Sequence, residues 1–360
     1  MRYEFSDTKY CFKYFFDSKT GGYVRTGILD ENGMDTGKDP FRGSFPHLID
    51  VGIMGHCKHG KSGLCAKAGV QCYQSGLYLD EPNMSLEDFS SIVTQCKGKV
   101  NQFALGGRGD PDQHEHFEEI LKLCCDNEIV PNFTTSGYGM TEEIAALCKK
   151  YCGAVAVSWY RSKYTLNAIE MLCNAGVTTN IHYVLGKNTI DEAIQRLKND
   201  DFPKGIRSVV FLLHKPAGQG SQHNVLGTDD PTIKEFFEEI DNGKHSFKIG
   251  SDSCCVPGLV NYCKNIIPEA LDTCEGGRFS CYISPDMYLL PCSFDQKHTY
   301  AVSLKQYTIE DAWNSMQFDR FRSHLLNRCP DCEVRDNCMG GCQLMPEVVL
   351  CKRKEKLLES

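Results

Sequence analysis

Through the middle of the chain, short apolar runs alternate with longer stretches whose apolar residues recur every three or four positions. His47 to Gly55 (HLIDVGIMG), Asn101 to Leu105, Ile129 to Thr134, Ala154 to Ser158, Thr178 to Leu185 and Ser208 to His214 are short, β-branched and almost continuously apolar. That is the pattern of parallel strands buried on both faces. Between them, Ser85 to Cys96, His114 to Cys125, Thr141 to Cys152, Lys163 to Ala175 and Thr189 to Lys198 carry the spacing of amphipathic helices. Ser85 is placed to cap the first of these helices, with Asp88 three residues on. Six strand-then-helix repeats predict an α/β fold, a partial (β/α)6 TIM-like barrel whose functional loops follow the strand C-termini.

Outside the repeat the pattern changes twice. Residues 1–45 read as a small hairpin-like element, FKYFFDSKTGGYVRTGI, turning at Gly21-Gly22. Near residue 250 the alternation stops and turn-rich, cysteine-rich sequence takes over, so three segments are expected: 1–45, a barrel over 46–250, and a C-terminal domain over 251–360. The last has too few apolar runs to bury a core alone, so metal coordination is expected to supply part of its folding free energy.

Composition sharpens this division. The 360 residues contain 21 cysteines, yet the N-terminal stretch MRYEFSDTKYCFKYFF has no cleavable apolar run, and no stretch has the length of a membrane span. The cysteines therefore read as reduced, cytoplasmic ligands and buried thiols rather than a secreted disulfide framework. Net charge is -8, with no basic block beyond the tail Lys352-Arg353-Lys354, so neither nucleic acid nor membrane is an expected partner.

Two cysteine groups carry the candidate chemistry. Cys274, Cys281 and Cys292 are followed by Cys329-x2-Cys332-x5-Cys338-x3-Cys342 and then Cys351, eight thiols, enough for two four-ligand iron-sulfur clusters. A zinc ribbon would also satisfy the tight run. The second group, Cys57, Cys65 and Cys72, lies in the loop after the first barrel strand. Three thiolates would leave one iron of a four-iron cluster open to a substrate or cofactor. His56 and His59 are competing ligands there, and a surface or supporting role is the alternative for His56.

These features resemble the radical S-adenosylmethionine (radical SAM) enzymes that carry a SPASM domain. The C-terminal run with its following cysteine is similar to the SPASM pattern, as is CEGGRFSCYISPDMYLLPC, although Met287 stands where the pattern has glycine, predicting a changed turn. The resemblance implies one auxiliary cluster on Cys274, Cys281, Cys292 and Cys342 and another on Cys329, Cys332, Cys338 and Cys351. It further implies a catalytic cluster on Cys57, Cys65 and Cys72, three 4Fe-4S clusters in all, with SAM as the other cofactor. The front spacing, x7 then x6, departs from the family's C-x3-C-x2-C, but loop-closure entropy grows slowly with length, and Gly60, Gly63 and Gly69 let the loop wrap a cluster. Tyr73, aromatic, directly follows the third cysteine.

The family's Gly-Gly-Glu element maps onto ALGGRGDP, with Gly106 and Gly107 allowing close backbone approach and Asp110 the nearest acid for the SAM ammonium, since Arg108 replaces the glutamate. Thr134 and Ser158 fall at family positions near the cofactor; helix-capping hydroxyls are the alternative. The implied chemistry is reductive cleavage of SAM to a 5'-deoxyadenosyl radical that takes hydrogen from an unactivated carbon, with fully ligated auxiliary clusters transferring electrons.

The implied substrate is a ribosomally made precursor peptide, with flavodoxin or ferredoxin as electron donor. Thioether formation from a peptide cysteine is expected, with Cα epimerisation and carbon-carbon crosslinking as alternatives. Formylglycine formation is disfavoured because Ser293, not aspartate, follows Pro291-Cys292. Asp252 and Cys254, in KIGSDSCCVPGL, are the catalytic candidates at the end of the barrel; Cys254 or Cys255 would serve as hydrogen donor or peptide contact, or be a buried structural thiol. Residues 1–45 are too short for a separate leader-binding domain, leaving the hairpin, the barrel rim or another chain for that role. The non-enzymatic alternative is a zinc-binding adaptor.

Overall fold

A computed structural model describes residues 2–267 and 270–351; the basic tail Lys352–Lys354 lies outside the described residues. Three N-terminal strands, β1 (Arg2–Asp7), β2 (Phe12–Asp17) and β3 (Gly22–Arg25), form an antiparallel sheet in that order. The expected hairpin corresponds to β2 and β3. The short alternation of Tyr3 and Phe5 adds β1, which had not been anticipated.

The large sheet contains β4 (Leu48–Met54), β5 (Gln102–Gly107), β6 (Val130–Thr135), β7 (Val155–Ser158), β8 (Thr179–Leu185), β9 (Ser208–Leu213), β10 (Lys248–Ser251), β11 (Ser280–Ile283), β12 (Tyr288–Leu290) and β13 (Val302–Ser303). Its order is β10-β9-β8-β7-β6-β5-β4-β11-β12-β13. From β4 to β10 all pairings are parallel, so the six expected strands are the first six of seven, and the intervening helices form the outer layer. The sheet also crosses into the C-terminal segment, where β11 adds to β4 in parallel and leads into an antiparallel hairpin.

Alternation along the strands separates two faces. Val51, Phe103, Phe133, Val157, Ile181 and Phe211 are at most 2% exposed and pack under the helices. Their neighbours in sequence, Asp50, Asn132, Thr134, Ser158, Asn180 and His182, are half-buried and polar on the inner face. An inner face of carboxylate, amide, hydroxyl and imidazole groups is costly in a closed core and suits a ligand-holding interior. The helix Leu86–Cys96 begins as expected, with Ser85 Oγ accepting from Asp88 N at 3.0 Å. No helix among the described residues is long and apolar enough to cross a membrane.

The N-terminal sheet is tied to the C-terminal segment. The Arg25 guanidinium, 8% exposed, donates to Asp39 at 2.8 Å, Asp272 at 3.1 Å and Glu275 at 3.1 Å, and stacks 4.1 Å from the Phe279 ring. At the β11–β12 turn Met287 is buried with φ +68°, in the left-handed region that glycine suits. The turn is therefore kept and the methionine carries the strain, contrary to the expected change of turn.

Candidate iron-sulfur and cofactor site

The loop after β4 gathers the three front cysteines. Cys57 caps the turn Lys58–Lys61, its Sγ accepting from Gly60 N at 3.0 Å; Cys65 lies on the short helix Leu64–Lys67 and is 6% exposed. Cys72 lies within electrostatic range of both. Burial pushes the Cys57 thiol up to about 11, so losing its proton requires a compensating positive charge, which a metal centre provides.

His59 does not join the thiols. It is 3% exposed, packs between the Tyr138 and Tyr160 rings at 5.3 and 5.6 Å, and shares a 2.7 Å hydrogen bond with the Tyr164 hydroxyl. His56 Nδ1 is 3.4 Å from the Glu81 carbonyl oxygen.

Arg108, which occupies the place of a glutamate, has a structural task. Its Nε donates to Gln74 O at 3.1 Å and its Nη1 to Gly55 O at 2.6 Å, pinning both ends of the cysteine loop. Gly107 has φ +110°, and a Cβ there would lie 2.8 Å from Met54 N, which explains why the motif needs glycine where the ends of the paired strands β5 and β4 come together.

Asp110, expected to receive an ammonium group, is already engaged. It accepts from Ser136 N at 2.7 Å and Ser136 Oγ at 2.6 Å. Asp112, two residues on and 6% exposed, makes no well-formed hydrogen bond through either carboxylate oxygen, with the Thr135 hydroxyl and its own backbone as its nearest polar neighbours. Burial raises the pKa of both groups, and the charge of Asp110 raises that of Asp112 further. Asp112 was not legible from the sequence, where it is one more acid after the turn. A buried carboxylate without such a bond is costly unless a cation meets it.

Thr134 and Ser158 both lie on the inner face and meet at His182. Thr134 Oγ1 is 3.3 Å from His182 Nδ1, and Ser158 is the register partner of His182. Desolvation pushes His182 down to about 4, so it is a neutral imidazole on the inner face. Neither hydroxyl caps a helix: Ser162 caps the helix that follows β7, and Thr141 the one that follows β6.

The C-terminal thiols divide into two groups of four. Cys329, Cys332, Cys338 and Cys351 lie within electrostatic range of one another. The other group is Cys254, Cys274, Cys292 and Cys342: Cys254 interacts directly with Cys342, and Cys274 with both Cys254 and Cys292. Cys281 is not part of it. It is 2% exposed on β11 opposite Ile49, and its neighbours are Cys96, Asp50 and Arg322.

This grouping differs from the expected assignment in two places. Strand alternation puts Cys281 on the helix-facing side of the sheet, and the turn after β10 delivers Cys254 to the thiols instead. Cys255 is 1% exposed with its Sγ 3.9 Å from Phe211 O, a packed core thiol.

Asp252, the other catalytic candidate, is paired. Its Oδ2 accepts from Lys215 Nζ at 2.8 Å and Leu213 N at 3.3 Å, while its buried Oδ1 has no partner. Lys215 had not been singled out; a lysine in HKPAGQG after β9 gives no signal in sequence.

Among the described residues no three His, Cys, Asp or Glu side chains converge tightly enough to hold a single metal ion. Each C-terminal group is nevertheless made of four soft thiol donors, the complement of a four-iron cluster, and the front group supplies three. The donor chemistry thus fits the three clusters that the resemblance implies.

Comparison with known proteins supports an iron-sulfur cluster-binding domain. Residues 274–338 match the SPASM family, an iron-sulfur cluster-binding domain. The mycofactocin maturase MftC of Mycolicibacterium smegmatis is 23% identical over 312 residues, covering 77% of this chain and 75% of that protein. Streptococcus suis SuiB bound to its precursor peptide SuiA shares the fold with TM-score 0.65 at 13% identity, covering 92% of each chain. SuiB bound to S-adenosylmethionine gives TM-score 0.62 at 14% identity, covering 84% of this chain and 74% of the other. Native anSMEcpe with bound AdoMet and a peptide gives 0.59 at 17%, covering 86% and 91%. A thiol-bearing loop after the first strand of a partial barrel, followed by a segment that matches the SPASM family and by eight further gathered thiols, makes this chain similar to the radical SAM enzymes that carry a SPASM domain.

Proposed function

We propose that this enzyme matures a ribosomally made precursor peptide by forming a thioether between a peptide cysteine and a carbon of the same peptide. The observation that carries the peptide reading is the shared fold, over 92% of both chains, with SuiB bound to its precursor peptide. Bound together, a four-iron cluster and SAM supply a radical that removes hydrogen from an unactivated carbon.

The protein's own residues bind and orient. Cys57, Cys65 and Cys72 hold the catalytic cluster, and Arg108 fixes their loop. Gly106 and Gly107 admit the cofactor's backbone contacts, and the buried carboxylate of Asp112 receives its ammonium in place of Asp110. Thr134, Ser158 and neutral His182 line the inner face. Cys254, Cys274, Cys292 and Cys342 hold one auxiliary cluster, and Cys329, Cys332, Cys338 and Cys351 the other. A flavodoxin or ferredoxin supplies electrons, and 21 cysteines without a disulfide among them suit the reducing conditions of the cytoplasm.

Cys254 in a ligand group and Cys255 packed in the core leave neither candidate thiol free to quench a peptide radical, which supports bond formation over epimerisation. The test is anaerobic incubation with cysteine-containing peptides encoded beside the gene. A thioether lowers peptide mass by about 2 Da and consumes one alkylatable thiol, whereas epimerisation leaves the mass unchanged in ordinary water and adds about 1 Da in deuterated water. Mass loss with all thiols still alkylatable would replace the thioether by a carbon-carbon crosslink.

A further inference from the structure

Lys215 is the cation that stands between the two functional halves of the molecule. It follows β9, at the end of the sheet where the barrel carries its chemistry, and its side chain is 5% exposed. Its ammonium has three donor directions and all are used. One goes to Asp252 Oδ2 at 2.8 Å, one to Leu213 O at 3.2 Å, and the third side faces the Phe294 ring, 4.6 Å from the centroid. The charge is therefore fixed in position and poorly screened by salt.

Its surroundings connect both cysteine systems. The Lys215 charge reaches Cys254, Cys292 and Cys342, three thiols of one group. Phe294, two residues after Cys292, packs 4.5 Å from the Tyr73 ring, and Tyr73 directly follows Cys72. The Gln296 side-chain amide also donates to Tyr73 O, and Gln219 N to Cys72 O at 2.9 Å.

Adding an electron to an iron-sulfur cluster makes it more negative, and a fixed cation nearby in a low-dielectric setting favours that reduced form. Asp252 reaches Cys254, so it offsets the lysine in part. Arg278 and Glu275 act on Cys274 with opposite sign. Arg328 reaches Cys274 and Cys342 but also Cys329 and Cys338, so it acts on both auxiliary groups and does not distinguish them.

We propose that Lys215 sets the reduction potential of the cluster held by Cys254, Cys274, Cys292 and Cys342, raising it above the value that cluster would have without the lysine charge. This rests on the cluster reading given above, and it is an equilibrium property that holds whichever bond the enzyme forms. Lys215 is a positioning group for charge, touching neither substrate nor the reacting atoms.

The test is a redox titration followed by electron paramagnetic resonance on full-length, anaerobically reconstituted enzyme, after iron has been counted. Lys215→Met should shift the reduction equilibrium of one auxiliary cluster at least tenfold toward the oxidised form, about 59 mV for one electron. The other two midpoints should stay in place. Lys215→Arg, which keeps the charge, should stay within threefold of the parent, and Asp252→Asn should shift the same midpoint in the opposite direction. Arg328→Gln should move both auxiliary midpoints.

If Lys215→Met loses iron because it strands a buried carboxylate, the doubly neutral Lys215→Met/Asp252→Asn enzyme makes the comparison, and a smaller shift in the same downward direction is expected because the partial offset by Asp252 is removed with the lysine. An unmoved midpoint in an iron-replete neutral variant overturns the proposal, as do equal shifts of all three clusters or matching behaviour of the Met and Arg variants. A parent enzyme without iron would instead remove the cluster reading itself.

Discussion

Exchanging the roles of Cys254 and Cys281 has a sharp experimental consequence. Cys281 is 2% exposed and sits on β11 opposite Ile49, with Cys96 beside it. Cys281→Ala therefore removes one sulfur from a packed core, comparable to deleting a single methylene, and should cost about 1 kcal/mol. In a chain of this size that lowers the thermal midpoint by about 2 °C. Iron should remain at about 12 per chain, the content of three four-iron clusters. Cys254→Ala should instead behave like Cys274→Ala and Cys292→Ala, losing up to about four irons per chain with one auxiliary signal altered or gone. Iron and sulfide analysis with electron paramagnetic resonance on anaerobically reconstituted protein measures this. The reasoning is refuted if Cys281→Ala loses as much iron as Cys274→Ala while Cys254→Ala keeps its full complement.

Replacing Cys57, Cys65 and Cys72 together with alanine should remove about four irons and abolish SAM cleavage while both auxiliary signals persist; retained cleavage would refute the front-loop site. Arg25→Met should destabilise the enzyme by about 2–3 kcal/mol in denaturant unfolding, less than a wholly buried network because Asp39 and Asp272 are half or more exposed; an unchanged midpoint would show that the N-terminal sheet does not brace the Cys274 segment. Burial raises Asp50 to about 7, so the folded state holds a proton that the unfolded state has lost, and its contribution is full below about pH 4 and declines as pH rises through about 7. Asp50→Asn should thus gain stability relative to the parent between about pH 5 and pH 8, by at most about 4 kcal/mol, and a gap that stays constant with pH would show that Asp50 is ionised throughout.

What the sequence determined by itself follows from local rules. Hydrophobic alternation and helical spacing located the six strands from β4 to β9, because a strand packed under helices needs apolar residues on its covered face and a covering helix must be amphipathic. Cysteine spacing announced a thiol-rich metal domain, since so many soft donors in one short segment have few other uses. The glycines before Arg108 marked a close backbone approach that β5 and β4 do make.

What only the tertiary structure decided were choices between neighbours of the same type. Cys281 lies closer in sequence to Cys274 than Cys254 does, yet β11 adds to β4 with Cys281 on the helix-facing side, and the end of β10 brings Cys254 to the thiols. Asp110 and Asp112 look equivalent in sequence; Ser136, contributed by the loop after β6, engages the first and not the second. Lys215 becomes distinctive only when β10 sets Asp252 beside it and the loop after Cys292 lays Phe294 against it. Each outcome depends on long-range register, which fixes which face a side chain occupies. A one-residue difference in strand pairing would invert it, and no local pattern encodes that choice.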